Sequence, residues 1–266
     1  MSFGDAFGFP FKNIPKVLTI ALGFTIAIAV VVIMATNAPN LGGIMFITMA
    51  LVVAQVLFLS GYGVRVVRHL LNGHEELPPL EILSDVGRGA MVSLAGLLYL
   101  LPLIGVILIG AILSMMLGAF MFIALVIVAI PLGMVLGWGI LIGMARYAAT
   151  EDSSSMFELK YNVGLAIDNT GKMFSYVGWN ILLAIIYAIL SNGFGLIYDG
   201  IFGSQIGFGT SDTTFIIVSV VSYVVTITFS ILQQLSNLHL LAQLAHEIGI
   251  DGDKMKRKND DFVLQA

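Results

Sequence analysis

Two arginines three residues apart, Arg65 and Arg68, close a long apolar stretch and are followed by the acidic pair Glu75 and Glu76. A guanidinium is a planar fork of donors that binds a carboxylate or a phosphate in bidentate fashion. The quartet therefore suits either a set of structural ion pairs or the capture of a lipid headgroup, and the acidic residues that follow Arg65 so closely favour the ion pairs. Arg88, Arg146 and Lys172 each stand beside the end of an apolar run and join the same candidate set for lipid, partner or ion-pair contact. A second set is uncharged: Ser230, Gln233, Gln234 and Asn237. Spacings of three and four put Gln233 on one helical face with Ser230 and with Asn237. This cluster reads first as hydrogen bonding between helices, worth about 0.6 kcal/mol each on average in a membrane, and alternatively as a small polar site.

Other chemistry finds no residues to carry it. The histidines His69, His74, His239 and His246 form no HExxH run, so a metal site would have to be assembled from distant segments. Gly164 is too far from Gly171 and Lys172 for a phosphate-binding loop, and Met173 replaces the Ser or Thr that would hold magnesium. The run Asp251, Gly252, Asp253 is followed by Met255 where a calcium loop needs another oxygen ligand. The absence of cysteine removes disulfides and thiolate chemistry. No catalytic, cofactor-binding or metal-ligating residue is assigned, and no enzymatic activity is expected.

The elements that position these residues follow from composition. Of 266 residues 58% are apolar and only 11% charged, against about 25% charged in an ordinary soluble domain. A soluble globule, a disordered chain and a nucleic-acid binder are all excluded, and an integral membrane protein remains. Stretches 17–64, 89–145 and 173–245 hold almost no charge, the last interrupted only by Asp199 and Asp212. A crossing needs roughly 20 residues, so each stretch suits two, and six helices are expected at about 17–36, 44–64, 91–115, 120–144, 173–197 and 213–235. The turns are set by Asn37, Pro39 and Gly42, by Gly118, and by the glycine-rich run 199–212. The first apolar run is too long for a signal peptide's core of about 7 to 15 residues. With six crossings all 12 Lys and Arg fall on one side, which the positive-inside rule makes the cytoplasm. Both termini are then cytoplasmic, in a multi-pass protein of the plasma membrane.

The three hairpins share an order of parts. Short amphipathic segments at 2–11, 79–90 and 155–167 precede the basic residues Lys16, Arg88 and Lys172. In the first, Ser2 can cap, Phe3, Ala6 and Phe7 form the stripe, and Pro10 is expected to end the helix. In the second, Ile82, Leu83, Val86 and Ala90 share a face expected at the headgroup boundary or the ends of the spans, with Glu81 and Asp85 opposite, in water. In the third, Ser155 and Glu158 have capping-box spacing and Met156, Leu159, Val163 and Ile167 form the stripe. The expected fold is all-α and membrane-integral: six transmembrane helices as three hairpins, each preceded by a short cytoplasmic interfacial helix. One domain, 1–248, divides into units 2–76, 77–152 and 153–248, and a charged tail 249–266 follows. Pro102 and Pro131 are expected to kink their helices. Gly133 with Gly137, and Gly139 with Gly143, are GxxxG pairs that permit close helix approach.

The run Gly61, Tyr62, Arg65, Val66, Val67, Arg68, Leu71, Asn72, Gly73, Glu75, Glu76, Leu77, Pro78 resembles the signature of an uncharacterised bacterial and archaeal membrane family, the domain of unknown function 4013. Phe7, Phe9, Pro10, Phe11 and Lys12, then Ala145, Arg146, Tyr147 and Ala148, and finally Gly171 and Lys172 fit the same pattern. His74 departs from the acidic residue expected there, while Glu75 and Glu76 remain. The resemblance implies a multi-pass membrane protein without an assigned activity and adds no chemistry. The expected role is a lipid-interacting or scaffold component whose partners are membrane lipids, another protein or a second copy of the chain. The alternative is a carrier or channel for a neutral or amphipathic solute.

Overall fold

The structure, a computed structural model, describes residues 1–37, 41–202 and 212–250. Among these there is no strand, and the helices in chain order are α1 Phe3–Lys12, α2 Ile14–Asn37, α3 Leu41–Leu71, α4 Ile82–Leu117, α5 Ala119–Thr150, α6 Ser154–Phe157, α7 Leu159–Asp168, α8 Thr170–Phe202 and α9 Asp212–Glu247. Five stretches are long and apolar enough to cross a membrane: Phe46–Leu71, Ile82–Leu117, Phe120–Thr150, Thr170–Leu196 and Val221–Glu247. The chain is thus a multi-pass membrane protein. The remaining expected crossing corresponds to α2, of which the fully described part Ile14–Ala27 is apolar.

Local chemistry explains the helix ends. Ser2 caps α1 by accepting from the Asp5 N–H at 3.4 Å, with Asp5 in the first turn and Lys12 in the last, as the helix dipole favours. Pro10 lies inside α1 and does not end it: the helix runs to Lys12 and breaks at Asn13. The second amphipathic segment also differs from expectation. It is no separate helix, because residues from Ile82 onward are the first turns of the continuous α4. The third is split into α6 and α7.

Gly118, at φ 82°, reverses the chain between α4 and α5. Helices α3, α5 and α9 each run out into a left-handed residue, Gly73, Glu151 and Gly249. At Gly73 and Gly249 the next N–H reaches back five residues, His74 to the His69 carbonyl at 3.0 Å and Ile250 to the Ala245 carbonyl at 2.9 Å, so carbonyls orphaned at the helix end are satisfied. Parts of the two remaining expected turns, 38–40 and 203–211, lie outside the described residues. So does 251–266, with Lys254, Lys256, Arg257 and Lys258.

Packing departs from three self-contained hairpins. Helices α4 and α5 pair, as do α8 and α9, but α2 lies chiefly along α9 while the main neighbour of α3 is α4. The bundle is organised around α9, which touches α1, α2, α3, α5 and α8. The α3–α4 crossing explains its own closeness. A Cβ on Gly61 would stand 1.7 Å from the Asp85 carbonyl oxygen, and one on Gly89 would stand 1.7 Å from that of Leu57. The two backbones touch there, and only glycine permits it.

The GxxxG glycines of α5 divide. A Cβ on Gly139 would stand 2.8 Å from the Tyr99 ring and one on Gly143 3.0 Å from the Asn162 amide, whereas one on Gly133 would make only ordinary contacts with Leu103 from 3.5 Å. The close approach expected at Gly137 is absent, since nothing lies within 4 Å of a Cβ there. Pro102 and Pro131 sit inside α4 and α5 with exposed side chains.

Candidate functional site

The crossing at Gly61 and Gly89 brings the end of α3 against the first turns of α4, and the first polar cluster forms there. Arg65 is buried, its Nη1 2.6 Å from Glu81 and its Nε 3.3 Å from Asp85, while its Nη2 donates to the Pro79 carbonyl. Asp85 is fully buried and also accepts from Arg88 at 3.2 Å and from the Glu81 N–H at 3.2 Å. Tyr62 donates to the Pro78 carbonyl at 3.1 Å and lies beneath the Arg65 guanidinium. A buried carboxylate is tolerable only with such partners, because its desolvation is otherwise uncompensated.

Two expectations are corrected here. Arg65 and Arg68 do not pair with Glu75 and Glu76: Arg68 binds Glu151 at 2.7 Å and the Ala148 carbonyl at 3.0 Å, at the end of α5. Glu75 accepts instead from Lys12 at 2.8 Å, a hydrogen bond that holds its carboxyl below the usual range and pushes the Lys12 amine up. Nor does Asp85 point into water, since α4 leans its acidic side onto α3. The side left outward is the apolar one, with Ile82 and Leu83 exposed.

A second cluster joins α4, α5, α6 and α7. Asn162, fully buried on α7, donates to the Tyr99 hydroxyl at 2.7 Å and to the Ser155 carbonyl at 2.8 Å, and accepts from Arg146 at 2.7 Å. Arg146 also pairs with Glu158 at 2.8 Å and lies 4.3 Å over the Tyr161 ring, while its Nε has no partner. Asp152 starts this segment by accepting from the Ser154 hydroxyl at 2.6 Å and the Ser154 N–H at 2.9 Å, which holds its carboxyl low. The absence of side chains at Gly139 and Gly143 lets Tyr99 and Asn162 reach α5.

Lys16 donates to the Leu77 carbonyl, and Lys172 donates to the Glu247 carbonyl at 2.7 Å, where a cation meets the negative end of α9. Arg65, Arg68, Arg88, Arg146 and Lys172 thus each find an internal partner. The uncharged set is not brought together in the same way. Ser230 is exposed and bonds back to Thr226 at 2.9 Å, Gln233 and Gln234 are half-buried, and Asn237 keeps a buried Oδ1 without a partner. Among the described residues of this helix the buried polar one is Ser236, 2.9 Å from the Tyr187 hydroxyl.

Sequence reasoning passed over Tyr99, Asn162 and Ser236, and gave Ser155 and Asp85 other roles, a helix cap and a water-facing position. Two signals pointed to some of them. Ser155 and Asn162 are seven residues apart, hence on one helical face. Asn13, Asp85 and Asn169 each stand three residues before Lys16, Arg88 and Lys172. Asn13 and Asn169 do the same job: each breaks the chain between a short helix and a long one, at φ −116° and −112°, and each amide donates four residues back, to Phe9 at 3.2 Å and Leu165 at 3.0 Å.

A family model described as Protein of unknown function (DUF4013) matches residues 43–198, more than half of the chain and the span that contains both clusters. The chain belongs to this family. No curated protein and no solved structure matches it. Within the DUF4013 match lie Gly61, Gly89, Arg65, Asp85, Arg146 and Asn162, while α1 and α9 fall outside it. Among the described residues no group of three or more His, Asp or Glu could hold a metal ion. The chemistry available at these clusters is pairing and hydrogen bonding.

Proposed function

We propose that this DUF4013 protein is a six-span, lipid-interacting or scaffold component of the plasma membrane, with both termini in the cytoplasm and no catalytic centre of its own. Helix α2 supplies the sixth crossing, and α1 with α6 and α7 forms a cytoplasmic interfacial layer. One observation carries the reading. At the charged end of the bundle the guanidinium groups turn inward to internal partners, while at the same level Leu80, Ile82 and Leu83 turn outward, Leu83 at 91% exposure. Apolar side chains beside a helix end insert at the boundary between headgroups and acyl chains. Charged side chains paired among themselves hold the shape of that surface.

The test is lipid retention. Purified in mild detergent, Ile82→Ser with Leu83→Ser is expected to carry less phospholipid per chain than the parent at an unchanged melting temperature; equal lipid content overturns the reading. A carrier or channel for a neutral solute draws support from Gln55 Nε2 and Asn237 Oδ1, buried without partners. Swelling of reconstituted liposomes in neutral osmolytes would favour it.

A further inference from the structure

We propose that His239 is a pH-dependent latch, holding α1 on α9 while its imidazole is neutral and releasing it on protonation. The observation is a chain of three hydrogen bonds that leaves no freedom in the amide of Gln243. The Ser2 N–H donates to Gln243 Oε1 at 2.5 Å, and Gln243 Nε2 donates back to the Ser2 carbonyl at 3.2 Å. A backbone N–H can only donate and a carbonyl can only accept, so the amide orientation is dictated by Ser2. Its Nε2 then faces His239 Nδ1 at 2.9 Å. That nitrogen must accept, which makes His239 the neutral tautomer with its proton on Nε2.

Protonation puts a second donor into this contact, N–H against N–H at hydrogen-bond distance. Turning the Gln243 amide over would satisfy the imidazolium. The same turn sets Oε1 against the Ser2 carbonyl and Nε2 against the Ser2 N–H, so both bonds to α1 are lost together. No rotation of the Gln243 amide satisfies all three contacts. The remaining hold on α1 is mainly apolar: Phe9 lies 5.0 Å from the His239 ring, Phe3 packs on Trp179 at 5.3 Å and Phe7 on Tyr187 at 5.7 Å. A released α1 presents Phe3 and Phe7 to the membrane surface.

The charged surroundings of His239 bear on the position of the transition. From α1 it faces Asp5 and Lys12, and from the segment after α3 it faces His74 and Glu75. From α9 itself come His246 and Glu247, the latter joined by the Met1 amine and, at its carbonyl, by Lys172 from α8. The His74 ring lies tilted against that of His69 of α3, centroids 4.6 Å apart. Three of the four histidines, His74, His239 and His246, thus line one cavity of about 550 Å³, with His69 behind His74. Docking is complete above the imidazole titration range and is lost as the pH falls through it, in the interval of about pH 8 to 5 where histidine changes charge.

The chain has no cysteine, so single cysteines report cleanly. Ala6 on α1 is fully buried, whereas Gly4 on the same helix is exposed with open space around it. In liposomes, the maleimide labelling rate of Ala6→Cys divided by that of Gly4→Cys at the same pH cancels thiol ionisation and reads the opening of α1. From pH 8 to pH 5.5 this ratio is expected to rise roughly tenfold, the loss of a pair of net hydrogen bonds. His239→Phe, which keeps a ring against Phe9, should hold it constant. Gln243→Met should give the raised ratio already at pH 8 and no further change. His69→Gln, His74→Gln and His246→Gln combined should leave the parent response in place. A flat ratio in the parent, the parent response in His239→Phe, or its loss in the triple variant overturns the proposal. Should His239→Phe fail to fold, a persisting pH response in Gln243→Met overturns it equally.

Discussion

Replacing Gly61 by alanine tests whether the α3–α4 crossing holds the first polar cluster together. The added carbon would stand 1.7 Å from the Asp85 carbonyl oxygen and 2.6 Å from the Gly89 nitrogen. Both are backbone atoms, so no side-chain rotation relieves the clash. To restore ordinary contact the helices must part by about 1.5 to 2 Å. Overpacking typically costs about 1 to 3 kcal/mol, and here the separation also draws Asp85 from Arg65, where breaking a buried pair costs about 3 to 5 kcal/mol. Alanine's better helix propensity returns about 1 kcal/mol. The net expectation is a loss of about 3 kcal/mol or more, a factor of over about 100 in the folded population. Gly137→Ala is the matched control, since it adds the same atom where nothing lies within 4 Å. Reversible denaturation in mixed micelles measures both. A Gly61→Ala protein within about 0.5 kcal/mol of the parent, the range of an ordinary surface change, would refute the argument from backbone contact.

Asn162→Leu should destabilise by about 1 to 3 kcal/mol, because it leaves the buried Tyr99 hydroxyl without its partner, while the Arg146 arm it releases keeps Glu158 and the Ser155 carbonyl; the same denaturation assay reads it. Glu75 titrates below the usual carboxylate range because Lys12 donates to it, so its contribution is present above the ordinary value and lost as pH falls through the lowered one. The melting temperatures of the parent and Glu75→Gln should therefore converge between pH 6 and pH 3, and a difference that widens in acid contradicts the pairing. For topology, tags at Met1 and Ala266 should both be cytoplasmic and a cysteine at Ser211 should label from outside, the latter position lying outside the described residues. Opposite labelling of the two termini would rule out six crossings.

Membrane integration was legible from the sequence, because it depends on composition and run length: with 11% charged residues the apolar stretches have no alternative solvent. The reversal at Gly118 was legible for a similar reason, a breaker between two apolar runs. The glycine pattern was only half legible. Gly137 and Gly139 are two residues apart, so they point to nearly opposite sides of α5. A GxxxG spelling carries no record of which side meets a neighbour; Gly139 does and Gly137 does not.

What the sequence determined by itself is the class of structure and the end of the bundle at which charge collects, since both follow from local hydropathy and helix periodicity. What only the tertiary structure decided is which charge meets which. Glu75 and Glu76 are nearer to Arg65 in the chain than Asp85 is, yet Asp85 is its buried partner, because the Gly61–Gly89 contact lays the first turn of α4 along the last turns of α3. The left-handed turn at Gly73 carries Glu75 away toward Lys12. Pairing energy depends on distance and burial in space, and helix crossing sets both.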